Sequence, residues 1–222
     1  MTLLTLSMPW PMLIIIFPLG LCLFCFMANL VRLSYLTTDD EKEWLAIFLN
    51  PAPAGITWLF AAAATGIALS PAPALERLMA LLLSLFLFRM TLIDALTGFL
   101  PRYMTVSCLI AGLAAALSAP GFWGHAFSAA TALGLFGLWR YVTGKVSARE
   151  CLGLGDVWLA GAVAAWLGGC EGLYALLTGV FLFVLWQLLV RRVQQGGPMG
   201  PWLCAGAMLV ALIKLYHPLI TW

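Results

Sequence analysis

Two of the chain's four aspartates stand where a carboxylate is costly. Asp94 ends the apolar stretch Met90-Thr91-Leu92-Ile93, and Asp156 begins another within Gly153-Leu154-Gly155-Asp156. A carboxylate at a membrane boundary is expensive to desolvate, and one kept there usually marks a functional site. For either residue alone, the competing reading is a helix-end side chain reaching headgroup water. As a pair they suggest more. Two facing carboxylates cannot both ionise at short range, so they share one proton. The ionised member can then take a proton from water, while the protonated member polarises a carbonyl and later protonates the leaving amine. That is the chemistry of peptide-bond hydrolysis, and it requires neither metal nor cofactor. Asp156 opens a helix, where the positive end of the dipole favours an anion, and Asp94 closes one, where the negative end favours the neutral acid. Asp156 is therefore the expected base and Asp94 the expected proton donor, although such a pair titrates as a unit.

Gly153 and Gly155 frame the second aspartate, and glycine permits close backbone approach, which suits an extended peptide lying beside the carboxylate. The remaining polar residues read more plainly. Asp39 and Asp40 lie in a polar stretch and serve as cap and solubilising charge. His125 and His217 fall at the other end of the apolar runs from the aspartates and read as headgroup-facing. Glu171 reads as a helix cap, and Gln187 as a hydrogen-bonding residue within a span. No Ser or Thr inside the apolar runs has a base beside it, so a serine nucleophile is not supported. The six cysteines (Cys22, Cys25, Cys108, Cys151, Cys170 and Cys204) mostly sit inside apolar runs, where a thiol behaves as a small hydrophobe. Cys22 and Cys25 form a CxxC at mid-span without the polar surroundings and further ligands of a zinc site, so no metal is expected.

The elements that position these residues follow from composition. The chain has 222 residues, of which 64% are hydrophobic and 9% charged. Soluble domains carry about 25% charged residues, and a chain with so few is solvated by lipid. Its net charge of +2 gives no reason to expect nucleic acid. Backbone amides must be satisfied internally in lipid, so apolar runs form helices or barrel strands. Runs of this length without two-residue alternation predict helices. The expected fold is an all-α, polytopic transmembrane bundle of eight helices at about 9–36, 54–71, 74–93, 102–118, 124–143, 155–169, 171–190 and 199–217. Turns are marked by Pro51, Pro53, Pro71, Pro73, Pro120-Gly121, Gly168-Gly169 and Gly196-Gly197-Pro198. No internal repeat or second domain is evident, so residues 1–222 are expected to form one domain. Residues 1–31 contain no Lys or Arg, which predicts no cleaved signal.

Lys and Arg concentrate in cytoplasmic loops. With the N-terminus outside, Arg32, Lys42, Arg89, Arg102, Arg140, Lys145, Arg149, Arg191 and Arg192 all lie at cytoplasmic ends, and only Arg77 and Lys214 do not. This asymmetry supports eight helices, both termini on the external or periplasmic side, and both aspartates at the cytoplasmic side of the inner membrane. The first cytoplasmic loop, 37–53, opens with Thr38-Asp39-Asp40-Glu41, the pattern of a capping box. Trp44, Leu45, Ile47 and Phe48 then form either a surface-lying helix or a solvated connector.

These residues together resemble a known family. Gly144-Lys145, Glu150 and Gly153-Leu154-Gly155-Asp156-Val157, followed by Trp166-Leu167-Gly168, are similar to the GxGD segment of type IV prepilin peptidases. Ile93-Asp94, Leu100-Pro101 and Thr105 resemble their first catalytic segment, and Pro198-Met199-Gly200-Pro201 resembles the Pro-Phe-Gly-Pro segment that opens their last helix. The resemblance runs from about residue 85 to 210. It implies a membrane-embedded aspartic endopeptidase that cuts the short basic leader from prepilins or pseudopilins, after a glycine, on the cytoplasmic face. Catalytic segments would lie at 90–105 and 150–168, with Asp94 and Asp156 catalytic and Gly153, Gly155 and Pro101 supporting substrate. Prepilin and membrane lipid are the implied partners, with oligomeric state left open.

The chain departs from the family pattern in three places. Trp158 stands where the family usually has Lys, and Arg102 where it often has an acidic residue or Asn. Loop 37–53 lacks the paired cysteines of longer members, so the resemblance leaves the family's second activity, methylation with S-adenosylmethionine, open. Three alternatives remain at this level: a GxGD peptidase with another membrane substrate, a proton- or cation-coupled small transporter, and an inactive relative serving assembly. Transporters tend to place such carboxylates near the bilayer midplane, whereas these lie at helix ends.

Overall fold

A computed structural model describes residues 10–36, 54–117, 121–147, 152–190 and 197–220. Among these residues the chain forms eight helices and no strand: α1 Trp10–Leu36, α2 Ala54–Leu69, α3 Ala74–Thr97, α4 Arg102–Ala116, α5 Phe122–Ser147, α6 Leu154–Leu167, α7 Gly169–Leu189 and α8 Gly200–Ile220. The all-α bundle expected from sequence is thus present, helix for helix. The first loop, with its capping-box and amphipathic readings, lies outside the described residues, as does Cys151.

Three helical stretches are long and apolar enough to cross a membrane: Met12–Val31, Ala74–Thr97 and Gly169–Leu189. Ala54–Leu69, Arg102–Ala116, Leu154–Leu167 and Gly200–Tyr216 are apolar but shorter. α5 has the length but is less uniformly apolar, with His125 near one end and Arg140 and Lys145 near the other. The eight expected spans therefore differ in kind. Of the short helices, α6 is enclosed by protein, which explains why it need not match the bilayer thickness. Almost every residue from Gly155 to Leu167 is buried. A helix that is apolar all round belongs in a core, and α6 packs against α4, α5, α7 and α8.

The outer surface has the opposite character. Ile14, Leu19 and Phe26 on α1, Trp123 and Phe127 on α5, and Tyr174, Phe181 and Leu188 on α7 are large apolar side chains facing outward. A water-facing surface seldom carries so much contiguous apolar area, whereas lipid solvates it. Inside, Phe24, Phe60 and Phe88 meet edge-on or tilted, locking α1, α2 and α3 together. Such pairs contribute about 0.5–1.5 kcal/mol beyond their buried area. The Tyr216 hydroxyl donates to the Gly66 carbonyl at 2.8 Å and ties α8 to α2. α7 and α8 pack closely where Gly179 meets Leu203 and Gly206 meets the backbone of Ala175 and Gly179. Side chains there would hold the backbones apart, which is why small residues recur at membrane helix crossings.

Candidate active site

Asp94 lies in the last turn of α3, which runs four residues beyond the expected end at 93. The extension has a local cause. The Thr97 hydroxyl donates to the Ile93 carbonyl at 2.9 Å, and Gly98 closes the helix in a left-handed conformation, with φ 66° and its N–H on the Asp94 carbonyl at 2.8 Å. Only glycine adopts that cap without a Cβ penalty. Leu100 and Pro101 then turn the chain into α4. Pro101 is extended, and its carbonyl accepts the N–H groups of Met104 and Thr105, so it starts the helix. Proline suits such an entry because its φ is already set.

Asp156 occupies the first turn of α6 and is half-buried. The Gly153 N–H faces its carboxylate, the backward half of a capping box. A Cβ on Gly153 would lie 3.1 Å from Asp156 Oδ2. Gly155 has a different function. A Cβ there would lie 2.5 Å from the Leu100 carbonyl oxygen and 2.8 Å from the Leu100 Cβ. The bare backbone of Gly155 therefore lets the start of α6 press on the turn between α3 and α4. This contact sets the two aspartate-bearing segments against each other.

The carboxylates of Asp94 and Asp156 lie at the same end of the bundle, close enough for the charge of one to act on the other. Asp94 is only 3% exposed. Below it lies a group that the sequence reading does not assign to the site. Gly200, the first residue of α8, brings its backbone N–H against the Asp94 carboxylate, and a Cβ there would lie 2.5 Å from Oδ2. Oδ2 nevertheless has no hydrogen bond of good geometry, so this is a close approach rather than a formed bond. The fully buried thiol of Cys204, one turn further along α8, lies within electrostatic range of both aspartates. The Gly-Pro pair at 200–201 was the available signal for this third wall, as a helix start, but nothing in it points to Asp94.

Arg102 and Trp158, the two departures noted in sequence, turn out to touch. The Arg102 guanidinium lies 5.1 Å from the centre of the Trp158 ring, across the start of α4 and α6. An exposed cation–π contact is worth about 0.5–1 kcal/mol. Removing either partner, by Arg102→Ala or Trp158→Leu, is expected to lower stability by about that amount. A double-mutant cycle by denaturant unfolding in detergent should return a coupling of the same size. Simple additivity would show the contact to be energetically idle.

Other expected residues are relocated. Glu171 makes no side-chain cap at the start of α7; it pairs loosely with Lys214 at 3.9 Å. His125 is half-buried rather than turned to the headgroups. Its Nδ1 lies 2.8 Å from the Ala165 carbonyl, and its ring fills the space beside Gly168. The side chain of His217 is outside the described residues. Among the described residues, no three His, Cys, Asp or Glu side chains gather as a metal site would require.

Comparison with known proteins bears on the family. Residues 81–213 match the type IV leader peptidase family. A prepilin leader peptidase/N-methyltransferase of Pectobacterium carotovorum subsp. carotovorum is 34% identical over 150 residues, covering 62% of this chain and 52% of that protein. One of Dickeya chrysanthemi is 36% identical over 148 residues, covering 63% and 52%. The chain spans about half the length of these curated relatives, and no solved structure matches it. The matched segment contains both aspartates, the glycines around Asp156 and the start of α8, and extends over more than half of the sequence; the chain belongs to the type IV leader peptidase family.

Proposed function

We propose that the protein is a membrane-embedded aspartic endopeptidase that removes the short basic leader from prepilins or pseudopilins at the cytoplasmic face of the inner membrane. The observation that supports this reading is that Asp94 and Asp156, from segments separated by two helices, lie at one end of the bundle within electrostatic range of each other. Residues 1–222 would act as a single peptidase domain, with the catalytic segments at 90–105 and 150–168 and the short loop 37–53 on the same side. The distribution of Lys and Arg supports the cytoplasmic orientation.

In the proposed reaction, the half-buried Asp156 carboxylate takes a proton from water as its oxygen adds to the scissile carbonyl carbon. Protonated Asp94, more deeply enclosed, hydrogen-bonds the carbonyl oxygen and stabilises the charge developing there. Collapse of the tetrahedral species breaks the C–N bond. The amine leaves with a proton from the pair, and the new carboxyl remains on the leader. The exposed Gly153 and the turn at Pro101 border the position an extended peptide would occupy.

The direct test is co-expression with leader-bearing prepilins and pseudopilins, following the mobility shift on processing. Conversion by the wild-type chain, with a new N-terminus at the leader junction, is the expected result. No conversion across several such substrates, with the protein present at normal level in the membrane, would overturn the assignment.

A further inference from the structure

At the end of the bundle away from the aspartates lies a cavity of about 270 Å³, lined by α3, α4, α6 and α8 together with His125 of α5. Its walls are mainly apolar, with Leu83, Trp166 and Ala211 among them, but two opposite charges also line it, Glu76 from the first turn of α3 and Lys214 from α8. Glu76 is exposed and has no ion pair among the described residues. Lys214 is held loosely, with its Nζ 3.4 Å from the Leu167 carbonyl and 3.9 Å from Glu171. Glu76 stands in the first turn of α3, at the end opposite Asp94, and Lys214 stands in the half of α8 at that same end, so both charges can reach the depth of the lipid headgroups. The volume corresponds to roughly nine water molecules at liquid density. That is room for a headgroup, with acyl chains running out over the exposed Leu75 and Leu78.

We propose that this cavity binds the headgroup of a zwitterionic aminophospholipid such as phosphatidylethanolamine. The charge pattern selects it. A phosphate needs a cation, which Lys214 supplies, and a primary ammonium needs an acceptor, which Glu76 supplies with its unpaired carboxylate. Phosphatidylglycerol would satisfy Lys214 and leave Glu76 facing an anionic ligand. Phosphatidylcholine would bring a positive charge to Glu76 but no N–H to donate. Half-buried His125 and the indole of Trp166, whose Nε1 donates to the Cys108 carbonyl at 3.0 Å, give the cavity a fixed wall. The site is separate from the aspartate pair and does not depend on what that pair cleaves.

The test is native mass spectrometry of the full chain in mild detergent, offered equal amounts of phosphatidylethanolamine, phosphatidylglycerol and phosphatidylcholine. One phosphatidylethanolamine per chain should be retained, about tenfold over either competitor, as expected from one charge-assisted hydrogen bond. Glu76→Gln should remove the preference over phosphatidylglycerol, and Lys214→Gln should lower retention of both about tenfold. Lys214 also touches the Leu167 carbonyl at the end of α6, so its variant is read beside its thermal midpoint; Glu76 is exposed in a first turn and gives an independent reading. Equal retention of all three lipids, preference for phosphatidylglycerol, or unchanged selectivity in Glu76→Gln would each overturn the proposal.

Discussion

Asp94→Asn and Asp156→Asn are each expected to reduce leader cleavage by about 10³-fold, with the protein still folded and in the membrane. Positioned acid–base groups contribute about 10²–10⁴-fold, and in the proposed mechanism each carboxylate is half of one proton-sharing unit. Asparagine keeps the shape and cannot exchange the proton. Because the pair acts together, the double variant should be little worse than either single one, as is usual when residues form one catalytic unit. Single-turnover cleavage of a purified prepilin in detergent separates this from a binding defect: kcat should fall while substrate still co-purifies. Retained cleavage in either variant would remove the dyad from the mechanism and leave another group to be found. Stability gives an independent check. Asp94 Oδ2 is buried without a hydrogen bond of good geometry, and an unpartnered buried polar atom costs about 1–3 kcal/mol. The Asp94→Asn thermal midpoint should therefore not drop, so lost cleavage could not be ascribed to unfolding.

Much of this arrangement is legible in the sequence because lipid restricts what a chain can do. With only helices available, apolar length and Pro or Gly punctuation locate the eight elements. Counting helices then places Asp94 and Asp156 at one end before any packing is known. Boundaries were less legible where a side chain decides them. α3 continues to Thr97 because the Thr97 hydroxyl and left-handed Gly98 finish the turn, a local detail that apolar periodicity does not register. Contacts between distant helices were least legible. Gly200 approaches Asp94 only because α8 packs on α3, and no spacing within either helix encodes that. Arg102 and Trp158 likewise look like two unrelated departures until α4 and α6 pack and bring them together. Glu171 shows the reverse error. A local rule predicts a cap, and the carboxylate instead stands 3.9 Å from Lys214 on another helix.

The close approach of Gly155 to Leu100 yields the other large expectation, and its sign is informative. In an ordinary helix position Gly→Ala stabilises, by up to about 1 kcal/mol, because alanine restricts the unfolded chain and favours helix. Gly134 in α5 is such a position, with nothing within 4 Å of an added Cβ, so Gly134→Ala should raise stability slightly. Gly155→Ala should do the opposite. Its Cβ would fall 2.5 Å from a backbone carbonyl oxygen, and backbone cannot rotate away as a flexible side chain can. Relief requires the start of α6 to move off the turn between α3 and α4, a strain on the order of 1–3 kcal/mol. The same displacement would move Asp156 relative to Asp94, and a misplacement of about 1 Å can cost about 10²-fold in rate. Gly155→Ala is thus expected to lose both stability and most cleavage, whereas Gly134→Ala keeps its activity. Unfolding midpoints in detergent, read beside the cleavage assay, check both. If Gly155→Ala were as stable and active as Gly134→Ala, α6 would not be seated against the turn through this glycine, and the aspartates would owe their placement to the α8 wall alone.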